Sequence, residues 1–399
     1  MKALHIHAGP RALQHLERQG LQPRDVRVIP AAAGGPKGLV LGPLDRFIFG
    51  DWLPQAGPGA QPVHLVGASI GAWRMATACL GAPRQGFERL EHDYIHQSYD
   101  LPPGRRRPAP AHVSERFGQS LAAFYGGRVH EVLHHPRYRL HVVTSHGRGL
   151  LGREHALATP LGYLAAFATN AVHRRALGAW LERVVFSSPD RPDRPDRPDR
   201  CAPLPFRVDD YRTRQVPLGA ANFMPALQAS CSIPFVLQAV HDIPGAPRGA
   251  YWDGGITDYH MHLRYGVPAQ NAIHNIAVGA QPSGASDRLG HESVPCADGV
   301  VLYPHFQRHV VPGWLDKRLP WRHRATPALD SMVLLAPNPA WVKTLPNAKL
   351  PDRNDFMHYG ADTAARARVW QAAVSASQQL ADEWAAWLHR PDLGAVQPL

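Results

Sequence analysis

The sequence predicts an α/β fold, a mostly parallel central sheet with helices on both faces. Residues 25–33 (DVRVIPAAA) read as a strand, which a glycine turn joins to a helical stretch at 39–49. Residues 63–68 (VHLVGA) read as a second strand, followed at once by a small-residue helix over 70–80. Strand, tight turn and helix, twice in succession, is the pattern of parallel strands whose crossovers cover the sheet. Further apolar runs at 139–144, 272–278, 299–303 and 332–335 supply more strands.

At 399 residues the chain can bury a large core, and 44% hydrophobic with 19% charged residues is a globular composition. No stretch approaches the ~18 to 20 apolar residues of a membrane span. The N-terminus has no signal-peptide run, so a cytoplasmic location is expected. The cysteines Cys79, Cys201, Cys231 and Cys296 form no CxxC pair, which argues for reduced thiols over a disulfide framework or structural zinc. A net charge of +11 is scattered, without a basic run or nucleic-acid module. It excludes nucleic acid as the expected partner and favours contact with an anionic membrane surface.

Residues 189–200 repeat Pro-Asp-Arg four times. Proline at every third position forbids helix interior and central strand, so a solvated loop without chemistry is expected. In 363–389, Trp370, Val374, Leu380, Trp384, Trp387 and Leu388 mark one face of a long amphipathic helix packed on the core. The whole chain, 1–399, reads as one hydrolase domain with a C-terminal extension from 267 onward.

Gly67-Ala68-Ser69-Ile70-Gly71 fits G-x-S-x-G between a strand and a helix. Composition alone would produce such a pentapeptide roughly 0.1 times in this chain, so the match is weak without its context. That context places Ser69 on a sharp turn with its hydroxyl exposed, and Gly67 and Gly71 remove side chains that would collide there. Ser69 is the candidate nucleophile.

Gly34-Gly35-Pro36-Lys37-Gly38 occupies the preceding strand-to-helix turn. Successive backbone N–H groups at such a turn stabilise an oxyanion. Pro36 has no N–H, leaving Gly34, Gly35, Lys37 and Gly38 as candidate donors. A phosphate loop is excluded by spacing, because neither G-x-x-x-x-G-K-[ST] nor G-x-G-x-x-G is met. Tyr251-Trp252-Asp253-Gly254-Gly255 sets a carboxylate beside bulky aromatics, where lost solvation strengthens it as a base. Alone, D-G-G is as readily a turn.

Together these elements resemble the patatin-like phospholipases, in which D-G-G-G-x-R-G, G-x-S-x-G and D-G-[GA] occur in this order. Here they are AAAGGPKG, GASIG and DGG, and Ala229 to Pro234 (ASCSIP) is similar to the family's A-S-x-x-x-P stretch. The resemblance covers roughly residues 26 to 266. Two positions depart from it: Ala32-Ala33 replaces the opening Asp-Gly, and Lys37 replaces the arginine. The resemblance implies a patatin-like α/β/α fold of nucleophile-elbow type. It also implies hydrolysis of lipid or simple acyl esters by a Ser69–Asp253 dyad, without a cofactor or a metal.

Three rivals accompany this reading. A Ser-His-Asp triad is compatible with chain order, since His260 and His262 follow Asp253. A metal-dependent hydrolase would use the pairs His5/His7 and His260/His262 with Asp258, which do not jointly specify three ligands and an open position. A lipid-surface binding protein would use 311–324 (VPGWLDKRLPWRHR), where Trp314 and Trp321 alternate with cations. Folding of both tryptophans onto the core is the favoured reading of that segment.

Overall fold

A computed structural model describes residues 1–100, 108–190, 201–266 and 299–399. Its strands are β1 (Leu4–Ala8), β2 (Val26–Ala31), β3 (Val63–Gly67), β4 (Tyr138–Gly147), β5 (Leu181–Ser187), β6 (Thr213–Pro217), β7 (Val240–His241), β8 (Ala250–Asp253), β9 (Val300–Pro304), β10 (Met332–Pro337) and β11 (Val396–Pro398). They form one sheet in the order β11-β1-β10-β9-β2-β3-β4-β5-β6, with β8 on β4 and β7 on β8. The run β10-β9-β2-β3-β4 is parallel throughout. β1 joins β10, and β5 and β8 join β4, in antiparallel fashion.

The sheet is covered on both faces, as the apolar character of its strands requires. In β3, Val63 and Leu65 enter one core cluster while Val66 enters the other. β10 divides likewise, with Val333 and Leu335 on one face and Met332, Leu334 and Ala336 on the opposite one. This is the alternation of side chains that a pleated strand imposes.

The predicted strands at 25–33, 63–68, 139–144, 299–303 and 332–335 correspond to β2, β3, β4, β9 and β10. The expected strand at 272–278 and Cys296 lie outside the described residues. So do residues 191–200 of the Pro-Asp-Arg repeat, whose flanks Pro189 and Cys201 pair in an isolated antiparallel bridge. The other three cysteines are free thiols.

Two helical expectations differ in detail. The 39–49 stretch is a 3₁₀ turn (Gly35–Leu41) passing into a short α-helix (Gly42–Phe47) and then a π turn (Ile48–Trp52). The single helix over 363–389 is two, Thr363–Ala376 and Gln378–His389. They meet at buried Ser377, whose Oγ donates to the Val374 carbonyl at 2.7 Å and competes with the backbone ladder. Trp370, Val374, Leu380, Trp384 and Trp387 are buried, so these helices serve the core. The chain then ends in β11, paired with β1.

Candidate active site

The C-terminal ends of the parallel strands β2 and β3, the usual place for chemistry in an open α/β sheet, meet the C-terminal end of the antiparallel β8. β2 leads into Gly34 and Gly35, β3 leads into Ser69, and β8, paired with β4, ends at Asp253.

Ser69 sits between β3 and the Ile70–Ala78 helix with φ 57° and ψ −132°. A non-glycine residue with positive φ is strained, at a cost on the order of 1–3 kcal/mol. Packing enforces the turn. A Cβ on Gly71 would lie 2.1 Å from the Ala31 carbonyl oxygen, and one on Gly67 would lie 2.6 Å from the Ala72 nitrogen. Both glycines are therefore required by the close approach of backbone.

From this elbow the Ser69 hydroxyl donates to Asp253 Oδ2 at 2.7 Å. The other carboxylate oxygen, Oδ1, accepts the Gly255 N–H at 2.7 Å. Burial holds the Asp253 carboxyl above its ordinary pKa, opposed by the Ser69 hydrogen bond and by the charge of Arg353. Its contacting donors are neutral. A desolvated carboxylate of this kind is a stronger base toward a neighbouring hydroxyl than one in water.

The glycine loop lies alongside. The Ala33 N–H is taken by the Tyr259 carbonyl at 2.9 Å, whereas the N–H groups of Gly34 and Gly35 have no partner among the described residues. Lys37 and Gly38 fall inside the 3₁₀ turn that begins at Gly35. Its i→i+3 pattern engages their N–H groups internally. Of the four candidate donors, Gly34 and Gly35 are thus the ones open to a ligand.

The histidines considered as a base are engaged elsewhere. His260 Nδ1 lies 3.0 Å from the His309 carbonyl oxygen, and its ring stacks on Tyr259. His262 bridges the Val310 carbonyl and the Thr326 hydroxyl. Burial pushes both imidazoles below their ordinary pKa, His262 to about 4. Asp258 is bound to Arg183 at 2.6 Å and does not join them. No group of three His, Cys, Asp or Glu among the described residues is placed to hold a metal.

Several supporting residues were not assigned from sequence. Ser230 Oγ accepts the Ser69 N–H at 3.0 Å and donates to the Val143 carbonyl at 2.7 Å, tying the elbow to β4. It belongs to the ASCSIP stretch, so its motif was visible although its role was not. Arg74 and Asp45 form a buried bidentate pair at 2.6 and 2.7 Å beside Gly38 and Ile70, bracing the glycine loop against the elbow helix. No sequence signal marks that pair, since its members lie 29 residues apart on different elements.

In the 311–324 segment, Trp314 is half-buried against the core, Leu319 is buried and Trp321 is exposed. One tryptophan thus folds inward and the other does not. No helix among the described residues is long and apolar enough to cross a membrane.

A sequence model of the patatin-like phospholipase family matches residues 32–272 of the chain. No curated protein matches it.

Proposed function

The chain belongs to the patatin-like phospholipase family, a family of lipid acyl hydrolases, and from that premise we propose that it cleaves carboxylic esters of lipids through a Ser69–Asp253 dyad and an acyl-enzyme. The observation that carries this reading is the 2.7 Å contact between Ser69 Oγ and Asp253 Oδ2 at a strained elbow. Ser69 attacks the ester carbonyl as Asp253 takes its proton, and the oxyanion is received by the N–H groups of Gly34 and Gly35. The intermediate collapses, the alcohol leaves with the proton from Asp253, and the acyl group remains on Ser69. Asp253 then removes a proton from water, which attacks the acyl-enzyme and releases the fatty acid. Each of these steps uses only groups of this chain and water.

The partner of this chemistry is a lipid surface, peripherally contacted. Along the Ala158–Val172 helix and its N-cap, Leu157, Leu161, Leu164 and Val172 share one face and are all exposed, Leu157 at 81% and Val172 at 86%. An apolar face of this size presented to water marks an interaction surface. We take its occupant to be lipid because the same helix, through Tyr163 on its buried side, packs on Trp252, the neighbour of Asp253. The protein's net charge of +11 suits an anionic surface.

Two experiments test this reading. Hydrolysis of a chain-length series of p-nitrophenyl esters should be abolished in folded Ser69→Ala, and more than about a per cent of residual activity rules the nucleophile out. Flotation with phosphatidylglycerol vesicles should fall in a Leu161→Lys/Leu164→Lys double variant, while unchanged flotation rules out the helix as the contact.

A further inference from the structure

The glycine loop faces a side chain that belongs to none of the motifs. Tyr94 lies near the end of the Pro83–His96 helix, and a Cβ built on Gly35 would lie 3.5 Å from its hydroxyl and 3.3 Å from Arg353 Nε. Gly35 itself has φ 57°, a left-handed conformation that suits glycine. The loop therefore presents bare backbone to the phenol. On the nucleophile's side, the Cys231 thiol hydrogen-bonds to the Ser69 side chain and is within electrostatic reach of Tyr94. The phenol thus borders both the loop and the surroundings of Ser69.

Its ring is held in place by two tryptophans. Trp73, on the Ile70–Ala78 elbow helix, and Trp370, on the Thr363–Ala376 helix, each have ring centres 6.3 Å from that of Tyr94. Trp370 is anchored in turn, its Nε1 donating to Asp355 Oδ2 at 2.8 Å. Burial raises the phenol's pKa, against the charge of Arg353 and a hydrogen bond with Gln97. Tyr94 therefore keeps its proton and is a neutral donor at any pH where Asp253 works. Tyrosine hydroxyls fixed in this way are among the donors that build oxyanion holes.

The backbone alone offers two open donors, Gly34 and Gly35, because Lys37 and Gly38 are drawn into the 3₁₀ turn. A carbonyl oxygen has two lone pairs, but the alkoxide that forms from it has three and can accept a third hydrogen bond. We propose that the Tyr94 hydroxyl is that third donor, beside the N–H groups of Gly34 and Gly35. The proposal rests on the hydrolase reading and adds a catalytic residue to it. As Ser69 Oγ bonds to the carbonyl carbon, the π pair of C=O moves onto oxygen and Asp253 takes the serine proton. Tyr94 donates to the new alkoxide while keeping its own proton, and the bond is given up when C=O re-forms. An interaction made only in the transition state raises kcat without tightening substrate binding.

Tyr94→Phe removes the hydroxyl and keeps the ring. With p-nitrophenyl butyrate, kcat should fall by about 10², while KM stays within about twofold of the parent value. A second measurement uses an alkyl trifluoromethyl ketone, to which Ser69 adds through oxygen to leave a stable alkoxide. Its affinity should weaken in Tyr94→Phe by the factor lost from kcat, whereas the corresponding methyl ketone, which stays a carbonyl, should bind both proteins alike. Unchanged kcat, or a loss of kcat without the matching loss of trifluoromethyl ketone affinity, overturns the assignment. If the variant proves less stable to urea, the ratio of the two ketone affinities on folded protein still decides. Absence of ester turnover in the parent protein overturns the hydrolase reading and the role of Tyr94 with it. Equal turnover by parent and variant overturns Tyr94 alone.

Discussion

Asp253 and Asp316 are both buried carboxylates near the mouth of the same site, yet their surroundings differ in kind. Asp316 accepts from Asn170 Nδ2 at 2.8 Å, Arg174 Nη1 at 2.8 Å and Arg322 Nη1 at 2.7 Å. Two of these donors are cations, and the charge is spent in holding the Trp314–Arg318 turn to the Ala158–Val172 helix. Among the described residues the Asp253 carboxylate accepts only from the Ser69 hydroxyl and the Gly255 amide, both neutral. A carboxylate matched by guanidinium is a structural joint. One left desolvated with neutral donors keeps its basicity for a reacting proton.

The comparison is most sharply tested at Asp253. Asp253→Asn should destroy ester turnover as fully as Ser69→Ala, by a factor on the order of 10⁶ in kcat, because an amide cannot accept the serine proton. In a triad, loss of the aspartate alone would cost roughly 10⁴. Single-turnover assays on purified, folded variants distinguish the two.

Stability should move in the opposite sense at the two positions. Asp316→Ala removes the ion-pair partner of Arg322 and the nearer of the two carboxylates of Arg174, each arginine partly buried, and should cost on the order of 3 kcal/mol in urea unfolding. The raised pKa of Asp253 means that the native state binds its proton more tightly than the unfolded chain does. Stability is therefore lost as pH rises from the unfolded to the native pKa, and ionised Asp253 burdens the fold at neutral pH. Asp253→Asn should accordingly be as stable as the parent or more so at pH 7. A large loss of stability in that variant would place Asp253 with Asp316 as a structural group.

The same shift sets the acid limb of activity. In the proposed dyad Asp253 works deprotonated, so kcat/KM should fall about tenfold per unit as pH drops below its pKa. That limb should lie above the ordinary aspartate value of about 3.9.

The smallest effects should come from His260→Gln and His262→Gln, assayed on a short-chain ester. Both imidazoles are tied to backbone carbonyls, of His309 and Val310, so substantial activity is expected to remain. A histidine variant as inactive as Ser69→Ala would replace the dyad with a triad.

Much of this molecule is written in short stretches of the chain. The apolar runs that became β2, β3, β4, β9 and β10 are local patterns, legible because burial on both faces demands continuous apolar sequence. GASIG is legible for a related reason: a strand that turns at once into a helix leaves no room for Cβ atoms at Gly67 and Gly71. Ser377, in contrast, divided the helical pattern over 363–389 through a single side-chain hydrogen bond that hydrophobic periodicity does not register.

By itself the sequence determined the strand-turn-helix units and the nucleophile candidate, since each is encoded within a few consecutive residues, whereas Asp253 was legible only through its order after the other motifs of the family. Only the tertiary structure decided the rest. It brought Asp253 within 2.7 Å of a serine 184 residues away, left Gly34 and Gly35 open while drawing Lys37 and Gly38 into a 3₁₀ turn, and carried Lys317 and Arg353 to the mouth of the site. Those two cations carry no motif, because segments far apart in the chain must pack together before their charges can face Asp253.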